Sequence, residues 1–470
     1  MRMLIGGQWL EKDSTISVCS PYDDSVVGTV PAADASDVVA ALDAAEQGAA
    51  EMRKLAPHER AALLGKAADA LVEAQDEIAH MLSCEVGKTI REGQVEAARP
   101  PAIFELCAEA ARDLGGEVIP YGAAPGTENR RGFWQRVPVG IVSAISPFNF
   151  PAALSAHKIA PALAAGNAVV LKPASQTPLA VLRIAQAVTD AGFPPGALNV
   201  VTCTGAEAGP LVTDPRVRVI SFTGSTQVGE SITRQAGIKR VHLELGSNAA
   251  VTVLADADLD GAMDRLVTGP FAVAGQVCIS VQRILVEQPL YERFLQDYVP
   301  RVEALRTGDP LSESTDVGPM INLAAAERAE KWVQEAVEAG AKVLCGGTRN
   351  GTLFEPTVIS DCPRGARLWT EEVFAPVVLV QPVAGLDEAI ELTNDSQYGL
   401  QAGIYTRDIN SAYRFAEAVD CGGINVNDIS FWRADFQPYG GRKRSGIGRE
   451  GVRFAIEEMS EYKVVAFRIS

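Results

Sequence analysis

GIVSAIS (140–146), NAVVLKP (167–173), LNVVT (198–202), VRVISFTG (217–224) and VHLELG (241–246) are short β-branched runs, separated by Ala-rich stretches of helical character. Strands spaced by helices read as a parallel sheet with helical crossovers. A second series continues the pattern: AAVTVLA (249–255), RILVE (283–287), KVLCGG (342–347), VVLVQPV (377–383), AGIYT (402–406) and GGINVN (422–427). The reading is therefore two α/β domains with a boundary near Ala249. Upstream, residues 34–118 are rich in Ala, Glu and Leu, and Leu63, Leu64, Ala67, Leu71, Ala74, Ile78 and Leu82 recur at helical spacing. That stretch is expected to form amphipathic helices. Gly122, Pro125, Gly126, Arg130 and Arg131 break the pattern into a loop or extended arm. The segment EYKVVAFRIS (461–470) alternates like a strand with no obvious partner in either series.

The chain has 470 residues, 47% hydrophobic and 21% charged, which fits a globular protein and excludes disordered, collagen-like and coiled-coil classes. Its net charge of −17 repels phosphate backbones and anionic lipid, so neither nucleic acid nor membrane is an expected partner. The start, MRMLIGGQWLEKDS, lacks a long apolar run and reads as no cleaved signal. Val137 to Ala156 is uncharged, but Pro138, Pro147 and Pro151 make it a strand, loop and helix start in a core. Eight scattered cysteines without a C-x-x-C suit a reducing cytoplasm, and four dispersed histidines offer no metal site.

Gly446, Gly448 and Gly451 match the glycine spacing of a dinucleotide loop, but FQPYGGRKRS before them is no strand, so they read as a turn. Better anion seats lie at strand-to-helix junctions. Phe222-Thr223-Gly224-Ser225 and Thr204-Gly205-Ala206-Glu207-Ala208-Gly209 each follow a strand, and Lys172 closes another. For chemistry, Gly275-Gln276-Val277-Cys278-Ile279-Ser280 puts a cysteine in a small-residue loop. Glu244 is a carboxylate at an apolar strand end, where burial would raise its pKa toward that of a general base. Taken singly, each residue reads better as an inert core thiol or a structural carboxylate.

Together these pieces resemble the aldehyde dehydrogenase superfamily. The resemblance runs along nearly the whole chain through Ser146-Pro147-Phe148-Asn149-Phe150-Pro151, Leu171-Lys172-Pro173-Ala174, Phe222-Thr223-Gly224-Ser225, Leu243-Glu244-Leu245-Gly246, Gly275-Gln276-Val277-Cys278, Glu371-Glu372-Val373-Phe374-Ala375-Pro376 and Pro438-Tyr439-Gly440-Gly441. It implies an α/β fold with a Rossmann-like NAD(P)-binding domain (1–118 and 138–248), a catalytic domain (249–440) and a small β oligomerisation arm (119–137 and 455–470). The arm implies a homodimer or homotetramer. Cys278 would attack the aldehyde, the Asn149 amide and Cys278 N–H would hold the oxyanion, and Glu244 would activate the water that hydrolyses the thioester. Lys172 would bind the adenosine ribose, Ser225 the pyrophosphate and Glu372 the nicotinamide ribose, with Phe374 beside the ring. Ser146, Pro147, Phe148, Ser175, Gly205, Gly209, Phe222, Gly224, Leu245 and Gly246 complete the expected cofactor set.

Ser175 stands where many NAD-preferring relatives carry Glu, which predicts that NADP is accepted, alongside NAD. Cys203, Ser247 and Ala375 each replace a common Gly. The substrate region is most like the branch of lactaldehyde and phosphonoacetaldehyde-type dehydrogenases. There His157, Trp432 and Arg433 would approach a short aldehyde bearing a hydroxyl or an anion, an equal alternative being that His157 hydrogen-bonds within its helix and Arg433 holds a loop. The basic run Arg442-Lys443-Arg444 reads as a solvated loop. Two rival readings are a CoA-acylating member and a binding protein that kept the fold. Glu244 argues against the first, and the joint presence of Cys278, Glu244 and Asn149 against the second.

Overall fold

The structure, a computed structural model, describes residues 1–470. Five parallel strands, Ile141–Ile145, Ala168–Lys172, Leu198–Val200, Val217–Thr223 and Arg240–Glu244, form the centre of the first sheet. Numbered along the chain, their spatial order is 3-2-1-4-5. Their near-continuous apolar runs follow from burial on both faces; every residue of Ala168–Lys172 is buried. The order reverses between Ile141–Ile145 and Val217–Thr223, which opens a crevice beyond their carboxyl ends.

The sheet is extended antiparallel at both edges, by Met3–Ile5 with Gln8–Leu10 on one side and by Gly446–Ile447 on the other. The glycine-spaced decoy is thus an edge strand that pairs Gly446 with Glu244. Val137 to Ala156 resolves into the end of one strand, strand Ile141–Ile145 and the start of helix Pro151–Ala164, which is buried at every position. No helix is long and apolar enough to cross a membrane.

The second sheet has six parallel strands in the order Thr357–Ser360, Val377–Val383, Arg283–Glu287, Ala250–Val253, Gln401–Tyr405 and Gly423–Val426. Lys342–Cys345 adds an antiparallel edge, where the alternation of helix and strand had pointed to a parallel one. Its partner Thr357–Ser360 is too short and too mixed to stand out in the sequence. The terminal run finds its partner outside both sheets: Ser460–Arg468 pairs along its whole length with Arg130–Pro138. Gly116–Val118 adds a third strand to this sheet, although it falls in the segment expected to belong to the cofactor domain. Residues 34–118 otherwise supply five helices from Ala35–Met52 to Arg99–Arg112, which cover the first sheet and helix Pro151–Ala164.

Candidate active site

Asn149, Glu244 and Cys278 line one cavity of about 620 Å³. Asn149 lies in the turn between strand Ile141–Ile145 and helix Pro151–Ala164. Its Nδ2 donates to the Gln276 carbonyl at 2.8 Å, tying that turn to the cysteine loop. An amide has two N–H donors, so one remains for an oxyanion. Cys278 follows the short turn Ala272–Gly275, in which Val273 and Ala274 hold left-handed φ angles of 53° and 52°. Gly275 comes next at φ 69°, where a Cβ would stand 2.0 Å from the Ala375 carbonyl oxygen. Backbone conformation and close approach both require glycine there.

The Cys278 sulfur lies 3.3 Å from the Tyr439 hydroxyl. Burial pushes the thiol up to about 12, with the Tyr439 hydrogen bond pulling the other way. Glu244 ends its strand, is buried, and has no hydrogen-bond partner on either carboxyl oxygen. Burial, followed by the neighbouring charge of Glu450, holds its pKa well above the usual carboxylate range. A carboxylate so raised is a stronger base toward water. For Glu450 itself, burial acts upward, but Lys158 and Arg433 outweigh it and hold the group ionised. Lys158 Nζ also donates to Thr223 at 2.8 Å and Ser221 at 3.2 Å, which anchors this buried charge pair to the sheet.

Along the crevice, Pro147, Phe148, Gly224, Ser225, Leu245, Gly246, Glu372 and Phe374 line the same cavity. Phe148 and Phe374 meet edge to face with centroids 5.9 Å apart. Ser225 caps helix Thr226–Gln235. The first-turn N–H groups of that helix and its dipole favour an anion. A Cβ at Gly246 would stand 2.5 Å from Glu372 Oε2, while Ser247 N–H donates to Glu372 Oε1 at 2.9 Å. Burial pushes Glu372 up to about 7. Bare backbone at Gly224 and Gly246, a helix N-terminus between them and a fixed carboxylate fit a dinucleotide lying across the crevice.

The other expected cofactor residues lie at the same sheet edge but outside the cavity lining. Ser146 is turned inward and accepts from Ser155 at 2.9 Å. Phe222 is buried in its strand beneath Gly224. Lys172 Nζ donates to the Pro173 carbonyl at 3.1 Å, and Ser175 Oγ to the Cys203 carbonyl at 3.1 Å. Gly205 lies in an exposed turn and Gly209 opens the short helix Gly209–Thr213 that follows it, and at both a Cβ would meet nothing within 4 Å. The Glu207 carboxylate accepts from Thr204 there, so a negative charge occupies the turn where an anion cradle was expected.

Trp432 and Arg433 line the cavity with Phe431, Arg99 and Arg265. The Arg433 guanidinium lies 3.8 Å from the Tyr439 ring centroid and 3.3 Å from Glu450, with its Nε unpartnered. His157 does not line the cavity. Its buried ring stands behind Arg433, with Nε2 at 3.1 Å from the guanidinium and 2.9 Å from Asp435. The ring is thus one layer behind the cavity wall, packed on the arginine. Sequence reasoning assigned no role to Tyr439, although it lay in a quoted motif, and missed Glu450, Lys158 and Arg99 altogether. Arg99 comes from a helix more than 300 residues away in sequence from Asp435, its partner at 2.5 Å, and no local signal marks it.

The family model described as "Aldehyde dehydrogenase family" matches residues 9–465. The chain belongs to the aldehyde dehydrogenase family. This dehydrogenase is 43% identical to a 3-sulfolactaldehyde dehydrogenase of Priestia aryabhattai, over 99% of this chain and 98% of that protein. It is 41% identical to a lactaldehyde dehydrogenase of Methanocaldococcus jannaschii, over 98% and 99%. The solved glyceraldehyde-3-phosphate dehydrogenase of Methanocaldococcus jannaschii, complexed with NADP, superposes with a TM-score of 0.93 at 40% identity, covering 97% of this chain and all of that one. The expected α/β fold and NAD(P)-dependent aldehyde oxidation therefore hold.

Proposed function

We propose that this aldehyde dehydrogenase oxidises a short aldehyde carrying an anionic group, such as a sulfonate or carboxylate, and releases the carboxylic acid by hydrolysis. The observation that carries the substrate class is Arg433. Its side chain is 9% exposed, it lies on the cavity wall over Tyr439, the neighbour of Cys278, and its Nε has no partner. A guanidinium on the cavity wall is matched by an oxyanion on the substrate. The name of the sulfolactaldehyde relative agrees with that chemistry.

The Cys278 thiol gives up its proton to water as its sulfur adds to the carbonyl carbon, and the oxyanion accepts hydrogen bonds from Asn149 Nδ2 and the Cys278 N–H. The nicotinamide cofactor, when bound, supplies the hydride acceptor that turns the adduct into a thioester. Glu244 then takes a proton from water, whose oxygen attacks the acyl carbon, and the Cys278 thiolate leaves. Lys172, Ser225 and Glu372 would hold the cofactor. NADP is accepted because Ser175, unlike a carboxylate, does not repel a 2′-phosphate. The enzyme acts as a homodimer or homotetramer through the Arg130–Pro138 and Ser460–Arg468 sheet, which exposes Tyr462, Val464 and Phe467. A cytoplasmic site suits its eight free cysteines.

The test is a panel of 3-sulfolactaldehyde, succinic semialdehyde, lactaldehyde and propanal with each cofactor, followed by product analysis with and without CoA. The proposal expects the highest kcat/KM for an anionic aldehyde, free acid as product, and no turnover in Cys278→Ala with cofactor binding retained. Preference for propanal would overturn the substrate class, and an acyl-CoA product would overturn hydrolysis.

A further inference from the structure

Helix Ile90–Ala97 carries Glu92 and Glu96 one turn apart on one face. Each carboxylate reaches a different half of the reaction site. Glu92 Oε1 accepts from Val273 N–H at 2.7 Å, in the strained turn that leads to Cys278. Glu96 Oε1 accepts from Ala152 and Ala153 N–H at 3.0 and 3.1 Å, just beyond Asn149. Helix Pro151–Ala164 has no side-chain cap of its own and begins with a proline, so Glu96 satisfies its first free donors.

Both carboxylates are themselves held. Thr89 donates to Glu92 Oε2 through its N–H at 2.9 Å and its hydroxyl at 3.0 Å. Lys88 pairs with Glu96 Oε2 at 2.5 Å, fully buried, with its ammonium 3.3 Å from the Phe150 ring centroid. Gly93, between the two, lets the helix rest on helix Gln75–Val86, since a Cβ there would stand 2.7 Å from the Ala79 carbonyl oxygen. One short helix thus bridges the Asn149 turn and the Cys278 loop, which otherwise meet through the hydrogen bond from Asn149 to Gln276.

We propose that Glu92 and Glu96 are positioning residues that set the spacing between the Asn149 amide and the Cys278 N–H, so that the oxyanion site is assembled before substrate arrives. The inference rests on the assignment of those two donors. Preorganised donors lose much of their effect when displaced by a fraction of an ångström.

The test is a cycle of Glu92→Ala and Glu92→Gln in the natural and Asn149→Ala backgrounds, with the same pair at Glu96. Three quantities are read: kcat for aldehyde oxidation, the rate of Cys278 alkylation by iodoacetamide, which needs no oxyanion site, and NADP affinity. Glu92→Ala should lower kcat about 10-fold, by analogy with loss of geometry at an oxyanion site, while alkylation and NADP affinity change less than about 2-fold. Glu92→Gln, which keeps an acceptor oxygen, should recover most of the loss. With Asn149 already removed, Glu92→Ala should cost less than about 2-fold more. Equal losses in both backgrounds, or a parallel fall in alkylation, would overturn the inference. Unchanged kcat in Asn149→Ala alone would overturn the oxyanion assignment and the inference with it. Glu92 is only half-buried, so its variants carry the test even if Glu96→Ala does not fold.

Discussion

Arg433→Ala should separate anionic from neutral substrates. Some of its cost falls on every substrate. The guanidinium leaves Glu450 at 3.3 Å, His157 at 3.1 Å and the Tyr439 ring at 3.8 Å, so the wall beside Cys278 loosens whatever the aldehyde carries. With a cation–π contact and a buried hydrogen bond lost, that shared cost is about 1–2 kcal/mol, or ~10-fold in kcat/KM. The anionic substrate loses a further attraction. A unit charge 4 Å from the guanidinium at an effective dielectric of 20 gains about 4 kcal/mol. Asp435 at 4.0 Å and Glu450 already offset part of that field, and Arg99 remains on the wall. The differential is then about 2 kcal/mol, so the ratio of kcat/KM for 3-sulfolactaldehyde over propanal should fall ~30-fold. Initial rates of NADPH formation at 340 nm for both aldehydes measure it. An unchanged ratio would refute the role given to Arg433, however large the shared loss.

In the proposed mechanism Glu244 works as carboxylate and its pKa is raised, so kcat should climb with pH across a limb above the usual carboxylate range. Glu450→Gln removes the neighbouring negative charge and should move that limb to lower pH; a limb that stays put or moves up would contradict the assignment. Glu244→Gln should still form a thioester yet release acid slowly, seen as a burst of NADPH followed by a slow steady state. Ser175→Glu should lower kcat/KM for NADP relative to NAD by at least about 10-fold, a repulsion of ~1.4 kcal/mol. A ratio that does not fall would remove Ser175 from cofactor choice.

Parts of this site were legible from local sequence. The strand end at Glu244 and the small-residue loop at Cys278 were legible as local features, but only the family resemblance singled out those two residues from inert alternatives. Cys107, Cys203, Cys345 and Cys362 are buried, Cys84, Cys278 and Cys421 are half-buried and Cys19 is exposed, so burial by itself does not single out Cys278. The turn Thr204–Gly209 looked like a phosphate seat for the same local reason that Phe222–Ser225 did. The two differ in the structure: Glu207 puts a carboxylate in the first and its glycines face open space, whereas Gly224 packs on the Phe222 ring, and spacing conveys neither difference. His157 was expected to approach substrate, but Arg433 and Asp435 interpose, and that ordering depends on contacts across more than 270 residues.

By itself the sequence determined the α/β class, the series of parallel strands and the buried course of Val137 to Ala156, since hydrophobic period and turn chemistry act over a few neighbouring residues. Tertiary structure alone decided that the sheet order reverses at Asn149, that Gly446–Ile447 pairs beside Glu244, and that Ser460–Arg468 finds Arg130–Pro138. It also decided the pKa of Glu244, because burial and the approach of Glu450 exist only once the chain has closed around them.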